Sequence, residues 1–234
     1  MVEELVARLV EKVDRHYFGK YPAVVVNNDD PEKRGRLQVR VESVLGKEVV
    51  TGWAEPCMPY GGVVDQGFFF IPEIDATVWV EFATGDLDHP IWVGTYWGKP
   101  GGNSDAPKPN AVDGTVESDV QSPPTRKIIK TLKGHTIQLE DADDADMVML
   151  LEATNGNLIV MNADGIKITE STNNTTITLT DSGLIVEAAK DIELKADGSI
   201  KITATQDLEL KAGGDIKMDG VNVKVKVSGS MDVS

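Results

Sequence analysis

Over residues 1–20 the apolar positions Val2, Leu5, Val6, Leu9, Val10 and Val13 recur at i, i+3 and i+4, with Glu3, Glu4, Arg8, Glu11 and Lys12 on the other side. That period predicts one short amphipathic helix. Two roles are open to it: packing on its own domain, or docking at the top of an oligomer, alone or as a three-helix cluster.

From residue 21 the period drops to two. Runs at 22–26, 35–44, 49–54, 67–71, 76–82 and 91–96 alternate or form compact apolar stretches, separated by Asp-Pro, Gly-Gly and Gly-Asp turns. So many short strands in residues 21–97 predict a small closed barrel, because an open sheet would leave two edges free to aggregate. Residues 98–126 are rich in Gly, Pro, Ser and Asp and poor in apolar residues, which predicts a linker.

Beyond it, strands recur with a period of eight residues. The units Asp191–Gly198, Ser199–Gln206, Asp207–Gly214 and Asp215–Gly220 each carry one apolar pair: Ile192/Leu194, Ile200/Ile202, Leu208/Leu210 and Ile216/Met218. A charged residue separates the members of each pair. Going backwards, Leu184/Val186 keeps the step of eight and Ile177/Leu179 lies seven earlier, with Ile166/Ile168 and Leu158/Val160 again eight apart. Going forwards, Val223/Val225 follows at seven and Met231/Val233 at eight.

Two inward residues per strand cannot enclose a core in one isolated chain. A single-chain β-helix spends roughly 20 or more residues per turn, whereas a step of eight suits one face of a three-sided prism shared by three chains. The reading is therefore all-β: a short N-terminal helix, a barrel, and an intertwined trimeric β-helix over 127–234. Its trimer core is formed by Leu184, Val186, Ile192, Leu194, Ile200, Ile202, Leu208, Leu210, Ile216, Met218, Val223 and Val225. With strands interlaced from about Leu132 onward at ~4.8 Å each, the shaft is on the order of 60 Å long.

Composition narrows the function. A net charge of −15 repels the phosphate backbone, so no nucleic-acid partner is expected. Cys57 is the only cysteine, which excludes an intrachain disulfide and fits a reducing cytoplasm. Glu3 and Glu4 stand where a signal peptide needs positive charge, and nothing approaches the ~18 apolar residues of a membrane span.

The residues of the barrel region resemble the OB-fold domain of phage baseplate spike proteins (baseplate assembly protein V) and of type VI secretion spikes of the VgrG class. The carriers are Tyr21 to Val41 (YPAVVVNNDDPEKRGRLQVRV), Trp53 to Gly62 (WAEPCMPYGG), Gly67 to Glu73 with Val78 to Phe82, and Gly85 to Gly94 (GDLDHPIWVG). Lys130 to Ile137 (KTLKGHTI) is similar to the segment that opens the β-helix in those proteins.

The resemblance implies a homotrimeric central spike, assembled in the cytoplasm, built into a baseplate, mounted under a hub and driven through a target envelope when a sheath contracts. Hub domains before the barrel and the lysozyme domain that some relatives insert after it are not seen here, so a separate hub protein is expected at the N-terminal end. No His follows His135, where simple phage spikes carry a His-x-His metal tip. A PAAR-type tip protein is expected instead, docking on the end formed by Met231 and Val233. The tight turn usually made by Gly-Asp falls on Asp75-Ala76, so Asp75 is expected in the left-handed region.

Candidate chemistry is thin, and no catalytic residue, metal site or cofactor is assigned. His16, His89 and His135 have ordinary structural readings in place of a hydrolytic triad. The four carboxylates of 141–146 lack the Gly and distal Glu of a calcium loop and read as a solvated turn. Glu187, Glu193, Asp207 and Glu209 alternate with Lys190, Lys195, Lys201 and Lys211, as cross-strand charge pairs do, where a glycoside hydrolase would isolate two carboxylates. Phe68 to Phe70, Trp79, Trp92 and Trp97 read as core and subunit packing, since no Arg or Lys interleaves them for stacking on bases or sugars. The alternatives to a mechanical spike are an OB-fold module binding oligosaccharide or single-stranded nucleic acid on a trimeric stalk, and a polysaccharide-degrading tail enzyme.

Overall fold

The computed structural model describes residues 2–4, 6, 10 and 16–229. Residues 2–4, 6 and 10 are helical, with Val2, Val6 and Val10 exposed. Leu5, Leu9 and Val13 of the expected helix lie outside the described residues. The chain forms two units that meet between Ala189 and Lys190.

The first unit opens with strands β1 (Tyr21–Asn27), β2 (Gln38–Arg40), β3 (Glu55–Pro56), β4 (Gly61–Val63), β5 (Gln66–Gly67), β6 (Thr77–Phe82) and β7 (Pro90–Thr95). Five of them make one sheet in the order β2-β1-β6-β7-β3. The sheet curls shut through Leu37 and Ala54, which form an antiparallel bridge and exchange backbone hydrogen bonds of 3.1 and 2.7 Å. Closure follows from alternation: Val78, Val80 and Phe82 of β6 point inward with Ala23, Val25, Leu37, Val39, Val41 and Trp92, while Trp79 and Glu81 point out.

Two backbone positions hold the barrel's corners. Gly35 takes φ +77° with its carbonyl accepting from Trp92 Nε1 at 3.1 Å, and a Cβ there would sit 2.8 Å from Ile71 Cδ1. Asp75 takes φ +68°, as the missing Gly-Asp turn requires. The β1–β2 connection is fixed by Asp30, whose carboxylate accepts from Arg36 and from the backbone N–H groups of Glu32, Arg34 and Arg36. The Arg36 guanidinium, seconded by those amides, holds the Asp30 carboxyl well below the usual range.

The remaining strands are β8 (Arg126–Lys130), β9 (Thr136–Glu140), β10 (Met147–Glu152), β11 (Asn157–Asn162), β12 (Gly165–Glu170), β13 (Thr175–Thr180) and β14 (Gly183–Glu187). They form one seven-stranded antiparallel meander in chain order. Two of its turns are built alike: Glu152 accepts the backbone N–H groups of Thr154 and Asn155, and Glu170 those of Thr172 and Asn173. This stretch differs from the interlaced stack expected from about Leu132, since these strands pair within one chain.

Residues 98–126, read as a linker, lie across the start of this meander. Asn110 bridges Val116, and Pro109 and Asn110 are fully buried.

The second unit is different. Residues 190–229 are extended and broken by bends at 197–198, 205–206, 213–214, 220–221 and 228–229, which follow the eight-residue repeat and its one step of seven. Among the described residues of this unit no strand is paired with another and every residue is exposed.

Candidate subunit interface

Strand β9 inverts the usual rule of polar outside and apolar inside. Thr136, Gln138 and Glu140 are buried, while Ile137 and Leu139 face outward at 45% and 43% exposure. The inward face is polar because it meets the backbone of 98–126 and not other side chains alone. Gln138 exchanges two hydrogen bonds with the Asn110 backbone, and Thr136 Oγ1 donates to the Gly134 carbonyl at 2.8 Å. Arg126 pairs with both Glu117 and Glu140. Burial works against the Glu140 charge, yet Arg126, Gln121 and the Ala142 amide outweigh it and bring its pKa down to about 2. Polar groups so fully paired are tolerated inside.

The outward face carries two columns of apolar side chains in ladder register. The first runs through Ile129, Ile137, Leu150, Ile159, Ile168, Ile177 and Val186. The second runs through Leu139, Val148, Met161, Ile166, Leu179 and Leu184. An antiparallel sheet can leave one face to water, but that face is then polar. Here it is apolar over all seven strands, far more than the scattered exposed residues of a monomer surface.

The pairs Leu184/Val186, Ile177/Leu179 and Ile166/Ile168 read from the sequence fall on these columns. Leu158/Val160 does not. Ile159 pairs with Ile168 and Met161 with Ile166, so Leu158 and Val160 point to the opposite face, where they pack with Met147, Met149 and Leu151. The column members on β9, β10 and β11 were missed. Their signal was present in the alternation of Thr136-Ile-Gln-Leu-Glu140, with the buried and exposed faces exchanged.

In the second unit Ile192/Leu194, Ile200/Ile202, Leu208/Leu210, Ile216/Met218 and Val223/Val225 all stand exposed, from 53% at Ile216 to 70% at Met218. Met231 and Val233 lie outside the described residues.

The barrel adds an apolar protrusion. The β4–β5 hairpin and the run Phe68 to Phe70 are exposed, with Phe69 at 73%. Phe70 shares one concavity with Ile129, Ile137, Leu150, Ile159 and Ile168 of the first column, so the aromatic run borders the apolar ladder. Of the two roles read for these phenylalanines, core packing within the chain does not hold, and subunit packing is the one left to them. Of the tryptophans, Trp92 is buried, Trp79 lies against Tyr96 with ring centroids 4.8 Å apart, and Trp97 is exposed.

The groups considered for catalysis are scattered. His89 Nδ1 is 3.2 Å from Asp86 in an exposed turn, and His135 Nδ1 accepts the Ala153 N–H at 3.2 Å. His16 stacks on Phe18 at 5.8 Å. In the 141–146 turn Asp141 pairs with Lys127, and no group of three potential metal ligands occurs among the described residues. No helix among them is long and apolar enough to cross a membrane.

Residues 21–97 match the family model of the type VI secretion system/phage-baseplate injector OB domain. Residues 127–188 match that of the phage baseplate V C-terminal trimerisation domain. Together the two cover more than half of the chain. No curated protein matches it.

Proposed function

The chain belongs to the phage baseplate V family of injector spike proteins, and on that footing we propose that it is the central, cell-puncturing spike of a contractile injection system, acting as a homotrimer through shape and stiffness. The observation that carries this reading is the two-column apolar ladder of β8–β14, exposed in one chain and continued in kind by the pairs of 190–229. Three such faces turned toward a common axis bury what one chain leaves in water, at roughly 1.5–3 kcal/mol per fully covered aliphatic side chain. The trimer core comprises Leu184 and Val186 together with Ile192/Leu194 through Val223/Val225. A rigid rod suits penetration because its strength lies in ladder bonds and apolar contact, with no flexible joint.

The partners follow from the family role. A hub protein takes the N-terminal end, where Val2, Val6 and Val10 offer apolar contact, and a PAAR-type tip protein takes the C-terminal end around Met231 and Val233. Contact with the target envelope is transient and mechanical, and assembly takes place in the cytoplasm. Electron microscopy of assembled particles tests the assignment. Density for this chain on the central axis of the baseplate is expected, and its location in a peripheral fibre contradicts the proposal.

A further inference from the structure

The charged residues of the second unit follow a rule of their own. The residue between the two members of each apolar pair is Glu193, Lys201, Glu209 and then Lys217, so its sign reverses at every repeat. All four lie on the face opposite their apolar pair, because side chains alternate along an extended strand. Among the described residues the ion pairs of these charges are local: Lys195 Nζ lies 2.8 Å from Glu193, and Lys217 Nζ 3.9 Å from Asp215.

Resting on the trimeric spike proposed above, the geometry says what else they meet. A bend at each repeat carries the chain to the next face of a three-sided prism. If one copy lays strand n on a given face, the threefold axis brings strand n+1 of the second copy and strand n+2 of the third onto that face. The first copy returns with strand n+3, about three strand spacings of ~4.8 Å farther along. This accounts for the absence of paired strands among the described residues of 190–229: the ladder neighbours of every strand belong to other copies.

We infer that the alternating column Glu193, Lys201, Glu209 and Lys217 is a register key between copies of this chain. Neighbouring strands on a face always differ by one repeat, so Lys201 and Glu209 each stand between two opposite charges from the other two copies, while Glu193 and Lys217 close the column with one opposite neighbour each. A slip of one strand leaves apolar pairs still stacked on apolar pairs, and hydrophobic contact cannot detect it. The same slip sets Glu against Glu and Lys against Lys along all three faces, where like charges directly opposed are destabilising. The position two residues on does not reverse sign at every repeat, reading Lys195, Thr203, Lys211 and Asp219, but it sets no like charges next to each other. Alternation ends at Lys224, where the step shortens to seven.

The test co-expresses the full wild-type chain with a tagged full chain carrying Glu193→Lys, Lys201→Glu, Glu209→Lys and Lys217→Glu, and counts mixed trimers by native mass spectrometry. The reversed chain keeps its own alternation, so it forms trimers that melt near the wild type. Mixed with wild type it opposes like charges wherever a strand of one kind stacks on a strand of the other, which is two of every three contacts on a face. The two chains therefore sort into homotrimers at low salt, and mixed trimers increase in molar salt as the charges are screened. Mixed trimers in binomial proportion at low salt overturn the inference, as does a reversed chain that fails to trimerise while the neutral variant Lys201→Gln trimerises. A monomeric wild-type chain instead overturns the trimeric reading on which it rests.

Discussion

The Gln138 side chain closes two 2.8 Å hydrogen bonds on the backbone of Asn110: its Oε1 accepts the Asn110 N–H, and its Nε2 donates to the Asn110 carbonyl. Residues 28 positions apart in sequence are thereby locked together with neither side chain nor backbone left unpaired. One face of the meander is covered within the chain, by polar contacts at β9 and by the cluster of Met147, Met149, Leu151, Leu158 and Val160 at β10 and β11. The other face is left apolar and open, and that asymmetry is what a subunit interface requires.

Replacing Gln138 with Ala leaves the Asn110 N–H and carbonyl buried without partners, at about 1–3 kcal/mol. Hydrogen exchange at Asn110 is expected to accelerate strongly while exchange in the barrel core at Val25 and Val80 is unchanged. Equal acceleration at all three sites would show that the 98–126 segment is not a separately anchored element.

Acid should loosen the same region. Glu140 has a folded pKa of about 2 against an ordinary 4.5, so its stabilising contribution is complete above about pH 4.5 and is lost as the pH falls toward 2. Glu152 and Glu170, held low first by the amides of Asn155 and Asn173, act in the same direction. The sign follows because the unfolded chain binds these protons more readily than the folded one. Thermal unfolding followed between pH 6 and pH 3 should show a falling midpoint. Arg126→Met, which strands Glu140 without its partner, should cost about 3–5 kcal/mol and flatten the dependence.

The two strained corners of the barrel respond oppositely to substitution. Gly35→Ala imposes a Cβ at φ +77° and 2.8 Å from Ile71 Cδ1, and should destabilise the barrel by about 1–3 kcal/mol. Asp75→Gly relieves an L-residue at φ +68° and should be neutral or slightly stabilising, whereas Asp75→Val should be clearly destabilising. Chemical denaturation of the three variants measures the order directly.

A carboxylate placed in the middle of the apolar ladder should separate the subunits without unfolding the chain. Ile168→Glu lies in the first column between Ile159 and Ile177 and touches none of the buried core of the barrel. The expected product is a monomer with wild-type β content by circular dichroism. Retention of the oligomer would place the interface elsewhere.

Much of this arrangement was legible in the sequence, and its failures have physical causes. The repeat over 192–225 could be read because each strand carries two apolar residues around one charged residue, so only one face qualifies. Strand β11 misled because Leu158, Ile159, Val160 and Met161 are all apolar, and either face could be assigned inward. The packing of 98–126 was invisible because it is held by Gln138, Arg126 and Glu140, whose polarity normally marks a surface. Phe68 to Phe70 read as core and subunit packing because an apolar run is usually covered, and the sequence alone does not divide the two. In this chain the run is exposed beside the ladder, and only the tertiary placement of Phe70 near Ile129 and Ile137 revealed that.

The oligomeric mass tests the central claim most directly. Native mass spectrometry or light scattering of the purified full chain should give three times the 25.3 kDa chain mass, stable to dilution. A mass of 25.3 kDa under the same conditions would leave the apolar ladder of β8–β14 uncovered and contradict the account.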